Sequence, residues 1–195
     1  LQRQIAHTTA RVGATKTASA HDTLAALNPD VRVIEHTMRL GPDNVAGLIA
    51  DYDIVADGSD NFPTRFLLND ACHLGGKTLV SAAVLRFDGQ LSTFKSHLGG
   101  GHPCYRCIYP APPPDGLIPS CAEGGVLGAL AGTMGTLQAT EVIKEILGIG
   151  ESLSGTLLIY EGLAAAFRKV RVKPDPACAL CSAAPTITAV AAHAA

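Results

Sequence analysis

The residues best suited to chemistry in this 195-residue sequence are two pairs of cysteines, each pair separated by two residues. Cys104 and Cys107 form the first pair, and Cys178 and Cys181 form the second. Such a pair can be a redox couple or half of a metal site. A redox couple needs a low-pKa cysteine at a helix N-terminus, and the proline-rich sequence after Cys107 does not favour a helix. Because two pairs supply the four thiolates of a closed tetrahedral site, the spacing predicts a structural zinc ion.

The other two of the six cysteines lie outside these pairs. Cys121 precedes a long apolar segment with helical character, and a helix N-terminus lowers the pKa of a thiol. Cys121 is therefore a candidate nucleophile, and the alternative is a partly buried free thiol. Cys72 lies within a predicted helix and is interpreted as a small buried hydrophobic residue.

Acidic and amide side chains follow a short apolar segment, residues 53–58, that is predicted to be a strand. Asp57, Asp60 and Asn61 come at its carboxyl end, where ligands bind in open α/β sheets. An acid at this position can hold Mg²⁺ and face a phosphate-bearing ligand. The alternative is that Asp60 or Asn61 caps the next helix, which on this stretch alone is the more common use of these residues.

Two cations near the start of the chain, Arg3 and Lys16, could contact phosphates. Arginine would do so through two hydrogen bonds and lysine as a point charge. The alternative is that both are solvated surface charges. No glycine-rich phosphate loop follows a predicted strand in the sequence.

These residues are spread over a pattern in which predicted helices and strands alternate, which is typical of an α/β fold. The pattern predicts a Rossmann-like, doubly wound, mostly parallel sheet. An irregular Gly/Pro-rich loop (97–120) and the C-terminal segment are expected to be joined by the zinc site. Asp88 and Gly89 predict a hairpin turn. Predicted helices span 14–28, 43–51, 62–76 and about 124–148, and predicted strands span 31–36, 53–58, 78–85, 87–94, 155–162 and 167–173.

Composition excludes several classes of function. Hydrophobic residues make up 47% of the chain and its net charge is −2, which indicates a globular protein. The chain has no basic stripe, so no nucleic-acid partner is expected. It has no uninterrupted apolar run of about 18 residues, so no membrane span is expected. Six cysteines without a signal peptide favour a reducing, cytoplasmic location.

Several motifs agree with one known family. "LQRQ", "VGATK", "DGSDNFPTRFLLNDAC", "PCYRC", "CAEGGVLG", "GTLQATEVIK" and "CALC" occur in that order. Together they resemble the ThiF/MoeB/HesA family, relatives of ubiquitin-activating enzymes, from residue 1 to about 182. Two of the motifs most closely resemble the branch that carries a C-terminal rhodanese domain. The resemblance implies an adenylation domain at 1–182 and a tail or linker at 183–195.

The resemblance implies an adenylyltransferase, a kind of nucleotidyltransferase. Members of this family use Mg²⁺ and ATP to adenylate the C-terminal Gly-Gly carboxylate of a ubiquitin-like sulfur carrier protein. A sulfur nucleophile then attacks the acyl-adenylate, in pathways such as molybdopterin, thiamine or tRNA thiolation. By this resemblance, Gln2, Arg3 and Lys16 contact the ATP phosphates, and Asp60 with Asn61 holds Mg²⁺ and nucleotide.

Partners follow from the same resemblance. Cys121 would form the thioester or persulfide link during sulfur transfer, with a donor of the rhodanese or cysteine desulfurase type. A homodimer is expected. The leading strand, the glycine loop and an arginine given to the partner subunit are expected before Leu1, so this chain alone is expected to be inactive and poorly stable. The alternatives are a zinc-stapled oxidoreductase, for which GxGxxG is missing, and a non-catalytic relative or fragment that serves as a protein-interaction scaffold.

Overall fold

The structure is a computed structural model that describes residues 1–114 and 124–191. Its chain divides into two compact units, Leu1–Arg39 and Leu40–Ala195, and each is described by itself. The first unit is built on helix α1 (Lys16–Leu27). The Thr15 hydroxyl caps α1 by accepting a hydrogen bond of 3.2 Å from the Ala18 amide. The predicted helix at 14–28 is confirmed.

The strand predicted at 31–36 does not form. These residues are irregular, and no described segment pairs with them. A strand needs a neighbouring backbone to satisfy its amides and carbonyls, and apolar alternation alone does not supply one. Side chains tie this part of the chain to α1 instead: Thr17 and Thr37 hydroxyls lie 2.7 Å apart, and His21 Nδ1 lies 3.2 Å from Glu35 Oε1.

The second unit contains a five-stranded sheet in the order β1-β2-β3-β4-β5. The α/β class is confirmed, but the sheet is mixed and not mostly parallel. β1 and β2 are parallel, whereas β2–β3, β3–β4 and β4–β5 are antiparallel. Short turns join β2 to β3 and β4 to β5, and a short turn can connect only antiparallel strands. The strands are β1 (Ile54–Asp57), β2 (Thr78–Leu85), β3 (Asp88–Phe94), β4 (Thr156–Glu161) and β5 (Ala166–Arg171).

The hairpin turn between β2 and β3 lies at Arg86 and Phe87, two residues before the predicted Asp-Gly position. Arg86 takes the left-handed conformation there, with φ of 54°. Gly89 lies within β3, where a glycine is needed because a Cβ atom at this position would collide with the Met134 side chain. The sequence pattern therefore marked a close approach of backbone and side chain, not a turn.

Helices cover both faces of the sheet. The first face carries α2 (Val45–Ile49) and α3 (Phe62–Leu74), which form a core with Leu79 and Phe94. The second face carries α4 (Gly128–Leu147), whose Leu130 and Met134 pack against Val80, Ala82 and Leu91. Because alternate residues of a strand point to opposite faces, Leu79 and Val80 reach different cores.

Local signals explain where the longer helices begin and end. Asn61 caps α3 by accepting a 2.9 Å hydrogen bond from the Thr64 amide, and Gly75 caps its other end. α4 ends at Gly148, which has φ of 62°. The last turn of α4 is exposed: Ile146 and Leu147 are 65% and 60% exposed. None of the described helices has the length and apolarity required to cross a membrane.

Candidate functional site

The four paired cysteines come together in space as predicted. The Sγ atoms of Cys104, Cys107, Cys178 and Cys181 all lie within 4.8 Å of one another. Cys104 and Cys178 are 3.5 Å apart, and Cys107 and Cys181 are 3.4 Å apart. Four sulfurs bound to one tetrahedral zinc at about 2.3 Å would be about 3.8 Å apart. This cysteine cluster can therefore hold a metal ion.

Two tight turns present the sulfurs. The first turn is the 3-10 helix Tyr105–Cys107, in which the Cys107 amide donates to the Cys104 carbonyl at 3.0 Å. In the second turn, the Cys178 amide donates to the Asp175 carbonyl at 3.0 Å. The Asp175 amide also donates to Cys107 Sγ at 3.3 Å, which links the turns. Leu180, which is 1% exposed, and Ile187 pack against the sulfurs.

Crowding shifts the pKa values of these thiols in opposite directions. The hydrogen bond from Cys104 lowers the pKa of Cys107 to about 5. Burial acts against this shift, and the hydrogen bond from the Asp175 amide adds to it. The same contact, together with burial, raises the pKa of Cys104. Burial above all raises the pKa of Cys181 to about 12. Cys107 therefore loses its proton more readily than Cys104 and Cys181 do. A bound cation would favour the thiolate forms, because metal ligation requires thiolates.

The two residues between Cys104 and Cys107 are bonded to α3. The Tyr105 amide donates to Asn69 Oδ1 at 2.8 Å. Arg106 donates from Nε and Nη2 to the two carboxylate oxygens of Asp70, both at 2.8 Å. These contacts connect the cysteine cluster to the helix that begins beside the predicted acidic site.

The acidic site is a loop, residues 57–61, at the carboxyl end of β1; we call it the acidic loop. Asp60 is exposed to solvent. Asn61 serves as the N-cap of α3, so the capping alternative holds for Asn61, and its Nδ2 lies 3.4 Å from Asp60 Oδ1. The arrangement leaves the Asp60 carboxylate available to a cation or ligand from solvent.

Asp57, which is 2% exposed, holds the acidic loop from its buried side. Its Oδ1 accepts from the Ser59 amide at 2.8 Å, and its Oδ2 accepts from the Ser81 hydroxyl at 2.9 Å. Gln138 Nε2 donates to the Asp57 carbonyl at 2.8 Å. Arg65 Nη2 donates to the Ser59 carbonyl at 2.7 Å. The roles of Arg65 and Gln138 are not predicted from the sequence, although Arg65 lies about one helical turn after Asn61 and Gln138 is a polar residue in an apolar helix.

A cavity of about 570 Å³ opens at the carboxyl end of β2. Both signs of charge line it, with the guanidinium groups of Arg65 and Arg86 and the carboxylate of Asp88. Tyr105 and Tyr109 complete an aromatic wall on the side of the cysteine cluster. Arg65 therefore contributes both to this cavity and to the support of the acidic loop.

The remaining candidate residues are placed as follows. Gln2, Arg3 and Lys16 are exposed residues of the first unit, and Lys16 is the first residue of α1. Cys121 lies outside the described residues. Cys72 is 1% exposed within α3, and burial raises its pKa to about 12, in agreement with its interpretation as a buried hydrophobic residue.

Curated relatives share nearly half of the sequence. "Sulfur carrier protein adenylyltransferase" of Thermus thermophilus is 48% identical over 188 residues, which cover 95% of this chain and 69% of the relative. "Adenylyltransferase and sulfurtransferase MOCS3" of Bos taurus is 48% identical and covers 96% of this chain. "Probable adenylyltransferase/sulfurtransferase MoeZ" of Mycobacterium tuberculosis is 47% identical and covers 90%. The chain spans 41% and 45% of the lengths of these last two relatives.

Solved structures share the fold at low sequence identity. E. coli MccB in a crystal structure with succinimide superposes with a TM-score of 0.77 at 18% identity, covering 93% of this chain and 55% of that one. MccB with ATP gives a TM-score of 0.75 at 17% identity, covering 92% and 55%. The ThiF family model matches residues 1–180. On its sequence match and its fold, the chain belongs to the ThiF family.

Proposed function

We propose that this protein uses ATP and Mg²⁺ to adenylate the C-terminal Gly-Gly carboxylate of a ubiquitin-like sulfur carrier protein. The observation that carries the proposal is the 48% identity to a sulfur carrier protein adenylyltransferase over 95% of this chain and 69% of the relative. An exposed acid on a firmly held loop at the carboxyl end of a strand supports it, because nucleotides bind at such ends.

The reaction joins two anions. A carboxylate oxygen of the carrier attacks the α-phosphorus of ATP, a new P–O bond forms, and the bond to the leaving pyrophosphate breaks. Bound Mg²⁺ would neutralise phosphate charge. Asp60 would hold that ion with the help of Asn61, while Gln2, Arg3 and Lys16 would bind the phosphates.

The cavity beside the acidic loop suits the end of a carrier protein. Arg65 and Arg86 present guanidinium groups that can pair with a carboxylate before it reacts. The rings of Tyr105 and Tyr109, which are tilted by 43° to each other, offer apolar contact to an extended glycine segment, which has no side chains to accommodate. We therefore assign this cavity to the carrier tail.

The cysteine cluster would hold zinc. Three of its sulfur separations, 3.4, 3.5 and 3.9 Å, bracket the distance expected for tetrahedral zinc, and all four sulfurs lie within 4.8 Å of one another. Because four thiolates fill a tetrahedral shell, no position would remain for a substrate, and the ion would be structural.

Sulfur transfer would follow adenylation in this proposal. Cys121 would attack the acyl carbon and displace AMP, or would carry sulfur from a rhodanese or cysteine desulfurase type of donor. In a homodimer, which we also propose, each subunit would act on one carrier. Replacement Cys121→Ala should preserve pyrophosphate exchange and abolish sulfur transfer, and loss of both activities would contradict this separation of roles.

The experiment that tests the function is ATP–pyrophosphate exchange by the full-length protein with a carrier that ends in Gly-Gly. The matched control is the same carrier lacking those two glycines. Exchange that requires the intact tail supports the proposal. Binding of the carrier with no exchange would contradict it and favour the scaffold alternative.

A further inference from the structure

The turn that carries Cys104 and Cys107 is attached to α3 by polar contacts buried in the protein. Tyr105 and Arg106, the residues between the cysteines, bond to Asn69 and Asp70, which are adjacent on α3. The four sulfurs alone complete the coordination shell of a zinc ion, so these contacts are not needed to supply ligands. The contacts therefore call for a separate explanation.

The Arg106–Asp70 ion pair is buried and held by two hydrogen bonds. Their side chains are 6% and 0% exposed, and both hydrogen bonds of the planar fork are 2.8 Å long. The guanidinium also lies 4.8 Å over the Phe66 ring. A buried charge without its partner is strongly unfavourable, so a shift of the turn along α3 would break the pair at high cost. The pair fixes the position of the turn on the helix.

The same helix supports the acidic loop at its other end. Asn61 caps α3 through the Thr64 amide, and Arg65 on the first turn of α3 holds the Ser59 carbonyl. A helix of 13 residues, Phe62–Leu74, moves as a unit because its backbone hydrogen bonds are continuous. Displacement of α3 would therefore displace the two attachments that α3 makes to the loop.

We propose that Arg106 and Asp70 are positioning residues that couple the cysteine cluster to the acidic loop. A metal ion held by the four sulfurs keeps the turn rigid, the ion pair transmits that rigidity to α3, and α3 holds the loop that presents Asp60. This inference rests on the proposed function for the identity of the metal and for the role of Asp60.

The first test is amide hydrogen exchange in the full-length wild-type protein, loaded with Zn²⁺ and then stripped by a chelator. The Ser59 and Thr64 amides report on the loop, because each donates to a side chain that holds it. The control is the amide of Ile149, which follows the end of α4 and donates to the carbonyl of Lys144 in the last turn of that helix. Removal of Zn²⁺ should speed exchange at Ser59 and Thr64 by about ten-fold or more and leave Ile149 nearly unchanged. Unchanged exchange at the loop, or an equal rise at all three amides, would overturn the coupling.

The second test removes the ion pair without leaving a buried charge. The double variant Arg106→Met with Asp70→Leu should release Zn²⁺ to a colorimetric chelator about 10–100-fold faster than wild type. The matched control is Arg168→Met with Glu161→Leu, which removes an exposed arginine–carboxylate pair and should release Zn²⁺ at the wild-type rate. Release from the Arg106 and Asp70 variant at the wild-type rate would overturn the inference.

Neither readout depends on turnover, so the two proposals fail separately. Coupling without pyrophosphate exchange would contradict the adenylation proposal and leave the inference standing. Pyrophosphate exchange without coupling would contradict the inference and leave the adenylation proposal standing. If the double variant does not fold, amide hydrogen exchange in the wild-type protein decides the outcome. Arg106→Lys then serves as the milder variant, because lysine keeps the positive charge but cannot make the two parallel hydrogen bonds of the guanidinium.

Discussion

Ser81 and Asp57 are register partners on the parallel strands β2 and β1, and the Ser81 hydroxyl donates to Asp57 Oδ2 at 2.9 Å. The other oxygen of that carboxylate accepts from the Ser59 amide, which precedes Asp60. A contact inside the sheet thus orients the loop that presents the candidate magnesium ligand.

Replacement Ser81→Ala should weaken nucleotide binding. Loss of this hydrogen bond costs about 1 kcal/mol, equivalent to about a five-fold change in an equilibrium constant. We expect the KM for Mg-ATP to rise by that order while the KM for the carrier changes little. The control is Ser92→Ala: Ser92 faces Ser81 across β2 and β3, but its hydroxyl donates to the Thr156 carbonyl. A rise of similar size in both variants would show that the effect is only general loss of stability.

Single and double replacements at the buried ion pair should differ in stability. Asp70→Leu alone leaves the Arg106 guanidinium buried without its partner and should lower the free energy of unfolding by about 3–5 kcal/mol. Adding Arg106→Met should recover most of that loss, because two apolar side chains of similar volume remain. Urea unfolding of the Zn²⁺-loaded proteins measures both values. Equal destabilisation by the single and double variants would contradict this account of the pair.

Removal of one ligand should remove the metal. Cys178→Ser should reduce bound zinc from about one ion per chain to well below that and lower the melting temperature, because structural zinc contributes folding energy. Cys72→Ala is the matched control, since Cys72 is buried in α3 outside the cluster. Elemental analysis gives the metal content. Full retention of zinc by Cys178→Ser would rule out the four-sulfur site.

The pKa shifts predict an order of thiol reactivity in metal-free protein. With its pKa lowered to about 5, Cys107 is largely thiolate above that pH, whereas Cys181, with its pKa raised to about 12, stays protonated. Iodoacetamide at about pH 6.5 should therefore modify Cys107 before Cys181, since the thiolate is the nucleophile. Peptide mass mapping over time records the order. Modification of both cysteines at the same rate would contradict the predicted shifts.

Much of the fold could be predicted because local chemistry determines it. Asn61, Pro63 and Gly75 mark the ends of α3 through capping and helix-breaking effects that need no tertiary information. Apolar runs likewise located β1 and β2. The two CxxC pairs predicted the cluster because four thiolates with this spacing have few other uses.

The errors arose where partners distant in sequence decide the structure. Residues 31–36 alternate like a strand but have no described backbone to pair with. Gly89 signalled a turn, yet its small size serves the close approach of Met134. The contact of Arg106 with Asp70 joins residues 36 positions apart, and no local pattern indicates it.

The most direct test of the account is ATP–pyrophosphate exchange by the full-length protein carrying Asp60→Asn. The control is Asp53→Asn, which alters an exposed acid at the opposite, amino end of β1. We predict that Asp60→Asn lowers exchange by at least about 100-fold, the order expected when a group that stabilises charge in the transition state is lost. Asp53→Asn should exchange like wild type. Full exchange activity in Asp60→Asn would contradict the central claim that the acidic loop holds the metal–nucleotide complex.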